Sequence, residues 1–225
     1  MRAMILAAGF GKRMLPLTEH TPKPLLTVAG IPLIEHHIRR LAAAGVTRIV
    51  INVAHLGQQI IDYCQDGERW GVTLSFSQEE EPLETAGGIV KALPLLGQEL
   101  FLLVNGDIWT DYPFETLITQ GLPAEDEAKL VLIANPTQHP QGDFSLADSK
   151  VLKLAAGEIG FTYAGIGLFS PKLFADTQPG RAPLLPLLLA AIERQTLAGE
   201  FYSGEWEDVG TPERLATLNA RHSNS

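Results

Sequence analysis

A chain of 225 residues, 45% of them apolar and 19% charged, can bury one full α/β core and is short for two independent domains. Its formal net charge of -9 argues against a nucleic-acid partner, which would call for a basic face. One cysteine, Cys64, excludes an intramolecular disulfide and a structural zinc site of several thiolates.

The first predicted element is a strand over residues 3–8, a continuous apolar run of the kind buried on both faces of a parallel sheet. A loop punctuated by Gly and Pro follows, over residues 9–24. Residues 32–44 predict a helix, with Pro32 in its first turn, Ile34, Ile38 and Leu41 on one face, and Gly45 at its end. A strand over 48–54, a helix over 57–65 carrying a buried Cys64, a strand over 72–76, a helix over 86–96 and a strand over 100–104 come next. Then a short helix is expected over 113–120 and a strand over 130–134. Residues 144–146 and 151–154 flank Asp148-Ser149 as a hairpin, with a strand over 161–169. Residues 183–197 predict a helix, 201–208 an extended segment and 212–220 a last helix.

Alternating strands and helices predict an α/β fold. The expectation is a Rossmann-like, mostly parallel sheet with helices on both faces and a small mixed-sheet lobe. One domain over 1–225 is expected, with residues up to about 110 forming one part and 111–225 the other. The longest apolar stretch, residues 182–192, carries two prolines and falls far short of the ~20 residues of a membrane span. Residues 4–8 are too few for a secretory apolar region. The expected address is the cytoplasm, with no membrane partner.

Five motifs carry chemistry. Residues 6–18, LAAGFGKRMLPLT, run a buried strand into Gly9 and Gly11, whose bare backbone can approach phosphate oxygens, and then into Lys12 and Arg13. Arg13 can hold phosphate oxygens bidentately. A dinucleotide fingerprint is excluded because position 14 is Met, and a P-loop because Lys12 is followed by Arg. In residues 22–34, PKPLLTVAGIPLI, two prolines frame Lys23 and predict an extended backbone around it. Residues 79–88 read EEEPLETAGG, with Gly87 and Gly88 opening a helix. Asp107, in residues 104–107 (VNGD), follows a buried strand at the sheet edge where open α/β folds bind ligands. Asp208, in residues 206–212 (WEDVGTP), likewise ends an extended stretch before a helix. No hexapeptide repeat is present, so an acetyltransferase activity is not expected.

In this order the motifs resemble those of the sugar-1-phosphate nucleotidyltransferase family, and they span nearly the whole chain. The resemblance implies transfer of a nucleotidyl group from a nucleoside triphosphate to a sugar 1-phosphate, with release of pyrophosphate. It implies that Leu6, Ala7, Ala8, Gly9, Gly11, Glu79, Thr85 and Gly87 bind the nucleotide. Arg13 and Lys23 are implied to be catalytic, Lys23 at the α-phosphate and the sugar phosphate. Asn105, Glu158 and Gly165 are implied to bind the sugar, with Gly165 making room for a hexose ring. Asp107 and Asp208 are implied to hold Mg²⁺. Leu15 departs from a basic residue common in the family, and Glu84 stands where glycine is usual. Glu84 within EPLETAGGI resembles the branch that joins UTP to N-acetylmuramic acid 1-phosphate.

Overall fold

The computed structural model describes residues 1–222. Strand β1 (Arg2–Leu6) has Ala3, Met4 and Ile5 fully buried, as an apolar run covered on both sides requires. A glycine loop leads to β2 (Thr27–Val28), β3 (Ile31–Pro32) and helix α1 (Leu33–Ala43). Then come β4 (Arg48–Val53), α2 (Gly57–Cys64), β5 (Thr73–Gln78), α3 (Glu84–Leu96) and β6 (Phe101–Asn105). The second half holds β7 (Ile108–Thr110), α4 (Phe114–Gln120), β8 (Ala128–Ile133), β9 (Phe144–Ala147), β10 (Lys150–Lys153) and β11 (Thr162–Phe169). It ends with α5 (Leu185–Glu193), β12 (Leu197–Tyr202), β13 (Trp206–Asp208) and α6 (Pro212–His222).

Nine strands form one sheet in the order β5-β4-β1-β6-β11-β8-β12-β10-β9. The first four are parallel. Beyond β6 the sheet becomes mixed: β11 runs antiparallel to both β6 and β8, and β12 parallel to β8. The β9–β10 hairpin turns on Asp148 and Ser149, both at positive φ, and extends the same sheet at its edge. The mixed part is therefore continuous with the parallel part.

Strand alternation divides the core. Ala3 and Ile5 face α1, α2 and α4 through Ile34, Ile38, Ile60 and Phe114. Met4 faces α3 and α5 through Ile89, Leu96 and Leu188. Each such large apolar side chain contributes about 1.5–3 kcal/mol on burial. A third cluster joins Met14 of the glycine loop to Val28, Leu33, Trp109, Val209, Leu215 and Leu218. It ties the start of the chain to α6.

Two expectations need correction. The extended segment expected at 201–208 is two strands, and Leu197 begins the first of them instead of ending a helix. Gln195 stands at φ 59 and breaks the helix, and Leu197–Tyr202 pairs with β8. Lys23 is not in an extended frame: Pro22 is extended, but Lys23–Leu25 close one 3₁₀ turn, with Leu25 N donating to Pro22 O at 2.8 Å. A proline inside a first turn lacks only an N–H that would have no helical partner.

Candidate active site

The chain leaves β1 for β4 and β5 on one side and returns to β6 on the other. A crevice opens at such a reversal, beyond the carboxyl ends of the strands. Register sets Leu6 between Asn52 of β4 and Asn105 of β6. A cavity of about 370 Å³ lies here. Leu6, Ala7, Ala8, Gly9, Gly11 and Arg13 line it from the glycine loop. Lys23, Glu79, Thr85, Asn105 and Asp107 complete most of the wall.

Local bonds shape the loop. Gly11 is left-handed at φ 63, its carbonyl accepting from Met14 N and Thr18 Oγ1, both at 2.8 Å. Arg13 stays exposed on the wall. Lys23 is only 7% exposed, and its Nζ donates to Asp107 Oδ2 at 2.8 Å and lies 4.0 Å from Asp208 Oδ1. A buried ammonium needs such partners.

The two aspartates, about a hundred residues apart, meet through a two-stranded ribbon. β7 starts at the residue after Asp107, and Asp208 pairs with Ile108 in β13. Val209 N donates to Asp107 O at 3.0 Å. Asp208 does not line the cavity, although Gly210 does; its Oδ2 accepts from Arg214 Nη1 at 2.6 Å. Arg214 is a site residue that motif reading missed, since its role depends on α6 folding back on Asp208. His37, 1% exposed, shares Nε2 with Ile108 O at 2.9 Å and braces the same ribbon. Burial holds its pKa down from 6.5 to about 4.

Asn52, 3% exposed, was also missed. Its Oδ1 accepts from Ala7 N at 2.9 Å, and its Nδ2 donates to Glu79 Oε1 at 2.8 Å. Glu79 Oε2 accepts from Leu83 N at 2.9 Å. Asn52 thus ties the glycine loop to the segment before α3. A polar residue at the carboxyl end of the apolar strand RIVINV was the available signal.

Besides Asp208, three expected residues lie outside the cavity lining. Gly87 packs on residues 180–182: its N donates to Ala182 O at 3.0 Å, and a Cβ there would stand 2.2 Å from Gly180 O. Gly165, at φ 71, makes room for a side chain, since an added Cβ would meet Asn105 Nδ2 at 2.5 Å. It acts on the cavity through Asn105. Glu158 is exposed, accepting from Ser145 Oγ and Ala155 N, each at 3.0 Å. Cys64 is buried, as expected, and burial pushes its thiol up to about 12.

Residues 2–150 match the family model for nucleotidyl transferase. The chain belongs to this family. An N-acetylmuramate alpha-1-phosphate uridylyltransferase from Neisseria meningitidis is 48% identical, with 98% of this chain and 97% of that protein aligned. A protein of the same description from Caulobacter vibrioides is 35% identical, over 97% of this chain and 96% of its own. Among solved structures, one from Bacillus anthracis described as a glucose-1-phosphate thymidylyltransferase superposes with a TM-score of 0.89, covering 100% of this chain and 96% of its own. At 21% identity, that likeness speaks to the fold. Among the described residues, no helix is long and apolar enough to cross a membrane.

Proposed function

We propose that the chain transfers uridylyl from UTP to N-acetylmuramic acid 1-phosphate, releasing pyrophosphate. Lys23 and Asp107 on the wall of the switch-point cavity, with Asp208 Oδ1 4.0 Å from Lys23 Nζ, carry the reaction type. The Neisseria and Caulobacter relatives, aligned end to end, carry the choice of substrates.

An oxygen of the sugar phosphate attacks the α-phosphorus in line. The new P–O bond forms as the α–β bridging bond breaks, and pyrophosphate leaves with that bridging oxygen. No general base is needed, because the attacking phosphate is already ionised. Arg13 and the Gly9–Gly11 backbone bind the triphosphate. Lys23 neutralises charge at the α-phosphate and the incoming phosphate. Such fixed charge, together with positioning, is the main source of rate in phosphoryl-type transfers. Asn105, packed against Gly165, takes the sugar side, and Glu158, outside the cavity lining, is assigned to the sugar on the family resemblance alone.

Asp107 and Asp208 fit a magnesium ion. Two carboxylates that already converge on one cation, completed by substrate phosphate oxygens, make the hard oxygen set this ion takes. Among the described residues, no group of three or more His, Cys, Asp or Glu could hold a metal, so substrate phosphates would complete the shell. The ion, when bound, supplies charge neutralisation to those oxygens. The nucleotide part extends to about residue 110 and the sugar part follows. We place the reaction in the cytoplasm, in peptidoglycan recycling.

Turnover with UTP and GTP, each crossed with N-acetylmuramic acid, N-acetylglucosamine, glucose and mannose 1-phosphates, tests this reading. Highest kcat/KM for UTP with the muramate supports it. Preference for GTP with mannose 1-phosphate overturns the substrate assignment.

A further inference from the structure

The cavity has two chemically different ends. Glu79 and Glu84 follow β5, on the β4 side of β1, beside Pro82 and Thr85, whereas Asp107, with Lys23 bound to it, follows β6 on the other side. Asp107 is paired with the lining cation Lys23, whereas no lining cation is bound to Glu79 or Glu84; these two repel a triphosphate, so their side of the cavity faces the base. Of the two acids, Glu79 is committed: Asn52 and Leu83 N occupy its two oxygens. Glu84 uses only Oε1, which accepts from Arg181 Nε at 2.8 Å and lies 2.7 Å from Arg181 Nη2. Its Oε2 has no partner among the described residues.

The backbone of Glu84 stands at φ 60, a region that side chains with a Cβ disfavour. A strap of residues 180–182 holds it there. Ala182 N donates to Leu83 O at 3.0 Å, and Ala182 O accepts from Gly87 N at 3.0 Å. Main-chain bonds thus pin the strap to the first turn of α3 and deliver Arg181 to Glu84. Strain fixed in place at a cavity wall points to function.

We infer that Glu84, oriented by Arg181, reads the nucleotide base. Its open carboxylate oxygen accepts a ring N–H, and the guanidinium donates to the carbonyl oxygen beside it. Uracil presents such an edge at N3–H, whereas cytosine presents a bare ring nitrogen there. The inference rests on the reading that the cavity takes a nucleoside triphosphate.

Calorimetric titration of UTP and CTP, in magnesium, into wild type, Glu84→Gly and Arg181→Ala tests it, with Tm measured in parallel. Glycine removes the side chain and the backbone strain together, so Glu84→Gly keeps or raises Tm. Wild type should favour UTP over CTP by about 10- to 100-fold, the worth of one charge-assisted hydrogen bond. Glu84→Gly should collapse that ratio toward one, and Arg181→Ala, altered only in the exposed strap, should lower it. Equal binding of both nucleotides by wild type, or an unchanged ratio in either variant, overturns the base-reading role and leaves nucleotide binding standing. A wild type that binds neither nucleotide refutes the reading of the cavity, and this inference with it.

Discussion

Asn52→Ala removes two buried hydrogen bonds at once. The Ala7 N–H loses its acceptor, and Glu79 Oε1 loses its donor, both within a wall that water reaches poorly. An abandoned buried group costs about 1–3 kcal/mol, and a charged one more, so the loss should total about 3–5 kcal/mol. For a chain of this size that lowers Tm by about 10 °C. Urea and thermal unfolding followed by circular dichroism measure it, and the KM for nucleotide should rise because the glycine loop is no longer tied. Asn52→Asp separates the two bonds. It keeps an acceptor for Ala7 N–H but replaces the Nδ2 donor with an oxygen facing Glu79 Oε1, so only the bond to Glu79 is lost. If Asn52→Ala unfolds within about 0.5 kcal/mol of wild type, the tie between loop and wall is not structural.

Lys23→Ala should lower kcat on the order of 10²-fold or more with a smaller change in nucleotide KM; a change confined to KM would make Lys23 a ground-state binder. His37 is held neutral by burial, its pKa lowered from 6.5 to about 4, so the unfolded chain takes a proton that the folded chain refuses. Its share of stability is intact above pH 6.5 and is lost as pH falls toward 4, by up to about 3 kcal/mol, which urea midpoints in wild type and His37→Gln would compare. An identical slope in the two proteins contradicts that assignment. Cys64 should react with a thiol reagent only at the rate of unfolding, since it is buried with its thiol pushed up to about 12; rapid labelling of the folded chain would contradict its burial.

The parallel half of the fold was legible because β1, β4 and β6 are built on the apolar runs AMIL, IVI and FLLV and their helices carry clear apolar faces. Asp107 and Asp208 could be picked out by motif, yet their meeting depends on the β7–β13 register, which no local pattern encodes. Lys23 drew notice through its prolines, while its burial against two carboxylates is a tertiary fact. Arg214 and Arg181 were invisible for the same reason: each is an ordinary surface arginine until a distant segment brings it to Asp208 or Glu84. Gly87 and Gly165 were recognisable as places of close approach, but the approaching groups are the 180–182 strap and Asn105. Motif spacing reports that room is needed, not what fills it.

Incubation of the purified chain with UTP, N-acetylmuramic acid 1-phosphate and magnesium, with pyrophosphate and nucleotide sugar quantified together, tests the central claim most directly. The account predicts equimolar formation of both products, abolished by Asp107→Asn or Asp208→Asn while the fold persists. Absence of pyrophosphate with this and every other sugar 1-phosphate, or orthophosphate released in its place, would contradict it.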